Sequence, residues 1–65
     1  MAHNIYVAKT TDDWLEKIGT IEQTWSRNID GFAYVGDDFG NSVAILIEAL
    51  EPEKYRWKDK KIIKN

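Results

Sequence analysis

Residues 10–25 read Thr-Thr-Asp-Asp-Trp-Leu-Glu-Lys-Ile-Gly-Thr-Ile-Glu-Gln-Thr-Trp, and whether they coil into a helix decides the class of the whole chain. Trp14, Ile18, Ile21 and Trp25 are spaced four, three and four apart, which puts them on one helical face with Leu15 at its edge. Glu16, Lys17, Thr20 and Gln23 point elsewhere. Thr10 followed three residues later by Asp13 fits a capping box, and Asp12 and Asp13 supply the negative charge that a helix N-terminus favours. The pattern predicts a helix that starts after Thr10 and ends near Arg27. Gly19 inside it costs about 1 kcal/mol of helix propensity against alanine, so a close approach by a sheet is expected there.

On either side of this stretch the period changes from helical to alternating. Residues 4–9 place Ile5 and Val7 on one side and Tyr6 and Ala8 on the other, as a half-buried strand does. Residues 28–31 are rich in turn formers, and residues 32–35 (Phe-Ala-Tyr-Val) read as a second strand bounded by Gly36. Residues 37–42 form the next turn. From Val43 to Leu50 two readings compete: Val43, Ile45 and Ile47 alternate as in a strand, while Val43, Leu46, Ile47 and Leu50 fit a helix from Ser42 to Pro52. Three β-branched residues at alternate positions favour the strand. Glu51-Pro52-Glu53 then makes a turn, and Tyr55, Trp57 and Asp59 alternate with Arg56, Lys58 and Lys60 as in a lysine-protected edge strand. Ile62 and Ile63 extend that strand or form a short return. The expected class is α+β, one amphipathic helix packed on a small antiparallel sheet in the order β-α-β-β-β.

With 65 residues the chain has room for one domain. Hydrophobic residues make up 43% and the longest apolar run is residues 43–47, which argues against both disorder and a membrane-spanning helix. The first residues show neither a basic leader nor an apolar signal core, so a cytoplasmic location is expected. The absence of cysteine excludes disulfides, thiol nucleophiles and zinc–thiolate sites. The net charge of −2 conceals a division: residues 1–53 carry three basic and ten acidic side chains, whereas residues 54–65 carry six basic ones against Asp59. Such asymmetry marks a nucleic-acid or membrane contact, or else a basic strand that lies beside acidic neighbours in the fold or is simply solvated, and the internal or solvated reading is the simpler expectation.

Little in the sequence supports catalysis. His3 is the single histidine and sits beside a terminus, which leaves a serine triad without a base and a metal without a ligand set. The pairs Asp12-Asp13 and Asp37-Asp38 are explained by helix capping and by a glycine-bearing turn. Asp38-Phe39-Gly40 spells a kinase metal triplet, yet the chain is too short to hold the rest of that machinery. The four glycines match no phosphate-binding spacing. No catalytic residue, cofactor or metal is expected.

Two surfaces remain. Lys54-Tyr55-Arg56-Trp57-Lys58 interleaves aromatics with cations, as single-stranded nucleic-acid binders do, although Tyr55 and Trp57 turned to the core would explain the same pattern. The second is the sheet face opposite the helix, where Ala44 and Leu46 point away from Val43, Ile45 and Ile47. One helix shields one side of a sheet, so a protein partner or a homodimer is expected to cover the other. Residues Ala44, Leu46, Tyr55, Arg56, Trp57 and Lys58 are the expected interaction surface. The function expected by elimination is a non-catalytic interaction module, an adaptor, inhibitor or accessory protein of the kind that phages and mobile elements often encode. Nucleic-acid binding by the C-terminal strand is the alternative, and no membrane contact is expected.

Overall fold

The computed structural model describes residues 4–65, so His3 lies outside the described residues. The protein is an α+β fold with elements in the order β1 (Asn4–Val7), α1 (Thr11–Ile18), β2 (Trp25–Ile29), β3 (Phe32–Gly36), β4 (Asn41–Leu46), β5 (Tyr55–Lys58) and β6 (Lys61–Lys64). Two 3-10 turns, Ile47–Ala49 and Pro52–Lys54, join β4 to β5. The first four strands form one sheet in the order β1-β4-β3-β2, in which β2, β3 and β4 are an antiparallel meander and β1 runs parallel to β4. The sheet is therefore mixed. β5 and β6 make a separate antiparallel hairpin.

The helix starts where expected: Thr10 is its N-cap, and its hydroxyl accepts from the Asp13 amide at 3.1 Å. It ends nine residues before Arg27, at Ile18, with Gly19 as C-cap and the Thr20 hydroxyl donating to the Lys17 carbonyl at 2.6 Å. The early stop corrects the sequence reading, and strand pairing is its cause. Asp30 and Gly31 take φ of 52° and 82° as the two-residue loop of a β2–β3 hairpin, which recruits Trp25 to Ile29 into the sheet. Gly19 does not serve a close approach by the sheet either. A Cβ there would meet the carbonyl of Glu16 at 3.3 Å and that of Leu15 at 3.6 Å, both belonging to the helix itself. The ambiguous residues 43–50 resolve as strand to Leu46 and a 3-10 turn beyond it.

The core lies between the sheet and α1. Trp14, Leu15 and Ile18 pack against Ala33, Val35, Val43 and Ile45, and Ile62 joins them from β6. Tyr55 meets Trp14 edge-on, ring centroids 5.5 Å apart. The C-terminal hairpin is thus a second cover on the helix side of the sheet rather than an extension of its edge. Two side chains far away in sequence fix it. Gln23 donates to the Ile62 carbonyl at 3.1 Å and accepts from the Ile62 amide at 2.7 Å, as a neighbouring strand would. Buried Thr11 accepts from the Glu51 amide at 2.8 Å and donates to the Ala49 carbonyl at 3.3 Å, tying the helix start to the β4–β5 connection.

Candidate functional site

Directly opposed residues in a ladder share a face, so the registers define the outer face of the four-stranded sheet row by row. The first row is Trp25, Gly36, Ser42 and Ile5; the second is Arg27, Tyr34, Ala44 and Val7; the third is Ile29, Phe32 and Leu46. Helix and hairpin both pack on the opposite side, which leaves this face bare. Ile5 and Val7 are each 57% exposed, Ile29 47% and Leu46 42%, with Trp25, Phe32 and Tyr34 half-buried beside them. Arg27 is the one charged side chain in the three rows, and its guanidinium lies 5.3 Å from the centre of the Trp25 ring.

The face has relief. Ser42, the small side chain between Gly36 and Ile5 in the first row, sits in a hollow of about 350 Å³ lined also by Ile5, Trp25, Tyr34, Asp37, Asp38 and Gly40. Gly36 has to be glycine because the Trp25 indole lies across it: a Cβ there would fall 2.0 Å from Cζ2. The indole N–H donates to the Asp37 carbonyl at 3.0 Å, which holds the ring in that position. Below the hollow, Phe32 and Leu46 are opposed across β3 and β4 and form a ridge with Ile29.

Of the residues expected to form the interaction surface, the structure places Leu46 on this exposed face. Ala44 lies at its centre but is only 1% exposed, between Tyr34 and Val7 in the ladder, which corrects its reading as a contact residue in its own right. Tyr55, Arg56, Trp57 and Lys58 lie elsewhere, on the hairpin. Tyr55 and Trp57 share a face with buried Ile62, and the Trp57 indole donates to the Ser26 hydroxyl at 3.1 Å, whereas Arg56 and Lys58 share the opposite face with Lys61. Arg56, Lys58 and Lys61 are therefore on the face away from the two aromatics, while Lys64 stands opposite Tyr55. Lys54 bridges Asp12 at 3.2 Å and Glu51 at 2.9 Å, so one cation of the basic tail lies beside acidic neighbours of the body; these two carboxylates hold its pKa above the ordinary lysine value, Glu51 contributing most.

The acidic loop braces itself. Buried Asp37 accepts from the side-chain amide of Asn41 at 2.9 Å and from the backbone amides of Phe39 at 2.8 Å and Asn41 at 3.0 Å. The Asn41 side chain is the main reason its carboxyl is held below the usual value, with those backbone amides adding to it against the cost of burial. Asp38 accepts from the Thr24 hydroxyl at 2.9 Å. Among the described residues, no three His, Cys, Asp or Glu side chains gather as a metal site would require. A larger groove of about 520 Å³ runs on the helix side of β1, lined by Asn4, Tyr6, Lys17, Thr20, Ile21 and Asn41. Its phenol, Tyr6, donates to Asp13 at 3.0 Å, and that bond raises its pKa, with the Lys17 ammonium 4.9 Å from the ring centre. The sequence reading had no signal for these arrangements, because they join residues whose neighbourhood only the fold creates.

Among the described residues, no helix is long and apolar enough to cross a membrane. No family model, curated protein or solved structure matches the chain.

Proposed function

We propose that this protein is a small non-catalytic interaction module that docks through the outer face of its four-stranded sheet. The observation that carries this reading is the continuous apolar surface of Ile5, Val7, Ile29, Phe32, Tyr34 and Leu46, bare on one side of a sheet whose other side carries α1 and the β5–β6 hairpin. Apolar patches of several hundred Å² on small proteins mark places where another surface binds. An adaptor, inhibitor or accessory role fits a domain whose usable chemistry is a surface, and a cytoplasmic setting fits its lack of cysteine. The alternative, single-stranded nucleic-acid binding, is less well supported because Tyr55 is committed to Trp14 while Arg56 and Lys58 face away from it.

The test is an affinity pulldown with nuclease, run on the wild type and on Val7→Asp and Leu46→Asp. Both substitutions put a charge on the outer face without touching the helix side. Capture of the protein's binding partner, or of a second copy, should survive nuclease and be lost with either substitution while the circular dichroism spectrum is unchanged. Capture that persists in both variants overturns the reading.

A further inference from the structure

We propose that the open edge of β1 takes an extended segment of another protein as an antiparallel fifth strand, one that alternates apolar side chains with acidic or hydroxyl ones. The edge is distinct from the docking face above, because its contacts are made by backbone groups rather than by side chains. β1 is the terminal strand of the order β1-β4-β3-β2 and pairs only with β4. The Asn4 amide donates to the Gly40 carbonyl at 2.9 Å and the Ala8 amide to the Ala44 carbonyl at 2.7 Å, so residues 4, 6 and 8 aim their backbone groups at β4. The period of two along a strand then turns the N–H and C=O groups of Ile5 and Val7 away from the sheet. Among the described residues, nothing pairs with these four groups. A row of donors and acceptors at this spacing is complementary to another extended backbone, which fixes the kind of occupant.

Exposed edges are commonly blunted by charge, proline or a bulge. β1 has none of these: it consists of Asn4, Ile5, Tyr6 and Val7, in unbroken register with β4. The opposite edge of the sheet differs, since β2 carries Arg27 and the Trp57 indole of the hairpin reaches its Ser26 hydroxyl at 3.1 Å. The two sides of β1 also set the side chains of the added strand. Those opposite Ile5 and Val7 lie on the outer face beside two exposed aliphatic side chains and are apolar. The one opposite Tyr6 lies over the groove of about 520 Å³ on the helix side, where Thr20 and Lys17 suit an acidic or hydroxyl side chain. Asp13 is engaged there by the Tyr6 hydroxyl at 3.0 Å, whereas Lys17 forms no ion pair among the described residues and can meet a carboxylate. Because β1 is only four residues long, the complex is weak, with a dissociation constant on the order of 0.1 to 1 mM.

The test is a titration of isotope-labelled protein with the blocked peptide Val-Thr-Val-Glu-Val-Thr-Val, followed by amide chemical shifts and hydrogen exchange. At about 2 mM peptide the shifts should centre on β1, and the Ile5 and Val7 amides should exchange several-fold more slowly. The same peptide methylated on its valine backbone nitrogens lacks the donors that face β1 and should not bind. Val7→Pro removes an outward N–H without breaking a bond to β4, so it should abolish binding with an unchanged circular dichroism spectrum. Lys17→Glu should weaken binding by about two- to fivefold. The inference is overturned by an absence of shifts at about 5 mM peptide, by shifts centred on Phe32 and Leu46, or by equal binding of the methylated peptide. Slowing of the Ile5 and Val7 amides with protein concentration alone would mean that a second copy fills the edge, and overturns it as well. Leu46→Asp should bind the peptide as the wild type does, so the edge and the outer face stand or fall separately.

Discussion

Asp37 shows how one carboxylate can decide a local structure. It is buried, accepts three hydrogen bonds and closes the β3–β4 loop, and its charged form is favoured over that in the unfolded chain. A folded-state pKa below the unfolded value contributes stability above about pH 4, and that contribution is lost as pH falls through the depressed folded value. Urea denaturation at pH 7 should find Asp37→Asn less stable than the wild type, since the new amide N–H₂ would face that of Asn41. The gap should narrow steadily below pH 4 as the wild-type carboxylate is protonated. A gap that is constant between pH 7 and pH 2 would remove the charge from this account. Trp14 presents the opposite case. Its side chain is fully buried, yet among the described residues its indole N–H has no hydrogen-bond acceptor, so packing alone keeps it in place.

Among the elements, α1 is the instructive one. The apolar period runs on through Ile21 and Trp25, but only Trp14, Leu15 and Ile18 lie on the helix and in the core; Ile21 is half-buried beyond its end and Trp25 crosses to the other face of the sheet. The two isoleucines should therefore respond differently to truncation. Ile18→Ala empties a site that is 2% exposed and should cost about 2 to 4 kcal/mol, whereas Ile21→Ala should cost about half as much or less, as read from denaturant midpoints. Equal losses would mean that the helical face extends through Ile21 after all. The Asp30-Gly31 pair competes against that longer helix. Its left-handed backbone is the conformation a two-residue hairpin demands, and pairing Trp25 through Ile29 with β3 outweighs the continuation of α1.

For the whole molecule, the distribution of covers matters more than composition. Both α1 and the β5–β6 hairpin lie on one side of the sheet, and the acidic body meets the basic tail at Lys54. Arg56, Lys58 and Lys61 face outward on the hairpin and form no ion pair among the described residues. Trp57 is 42% exposed but lies on the opposite face with its indole N–H held by Ser26, so these cations offer charge but little stacking. Fluorescence anisotropy with single-stranded DNA and RNA oligomers should therefore show no appreciable binding at physiological salt. About four phosphate contacts would make affinity fall by roughly 50-fold between 50 and 200 mM salt. A low-micromolar dissociation constant with that dependence, abolished by Trp57→Ala, would place the function on the hairpin instead.

By itself the sequence determined the α+β class, the helix start at Thr10, strands at β1, β3 and β4, and the uncovered sheet face marked by Leu46. These follow from local causes: side-chain period, a capping hydroxyl, and the alternation of β-branched residues. Only the tertiary structure decided where α1 stops, that Trp25 belongs to β2, that β1 pairs parallel to β4, and that the C-terminal strands cover the helix side. Each of these depends on contacts between residues distant in sequence, such as Gln23 with Ile62, Thr11 with Glu51 and Trp25 with Gly36, and periodicity along a single segment carries no record of them.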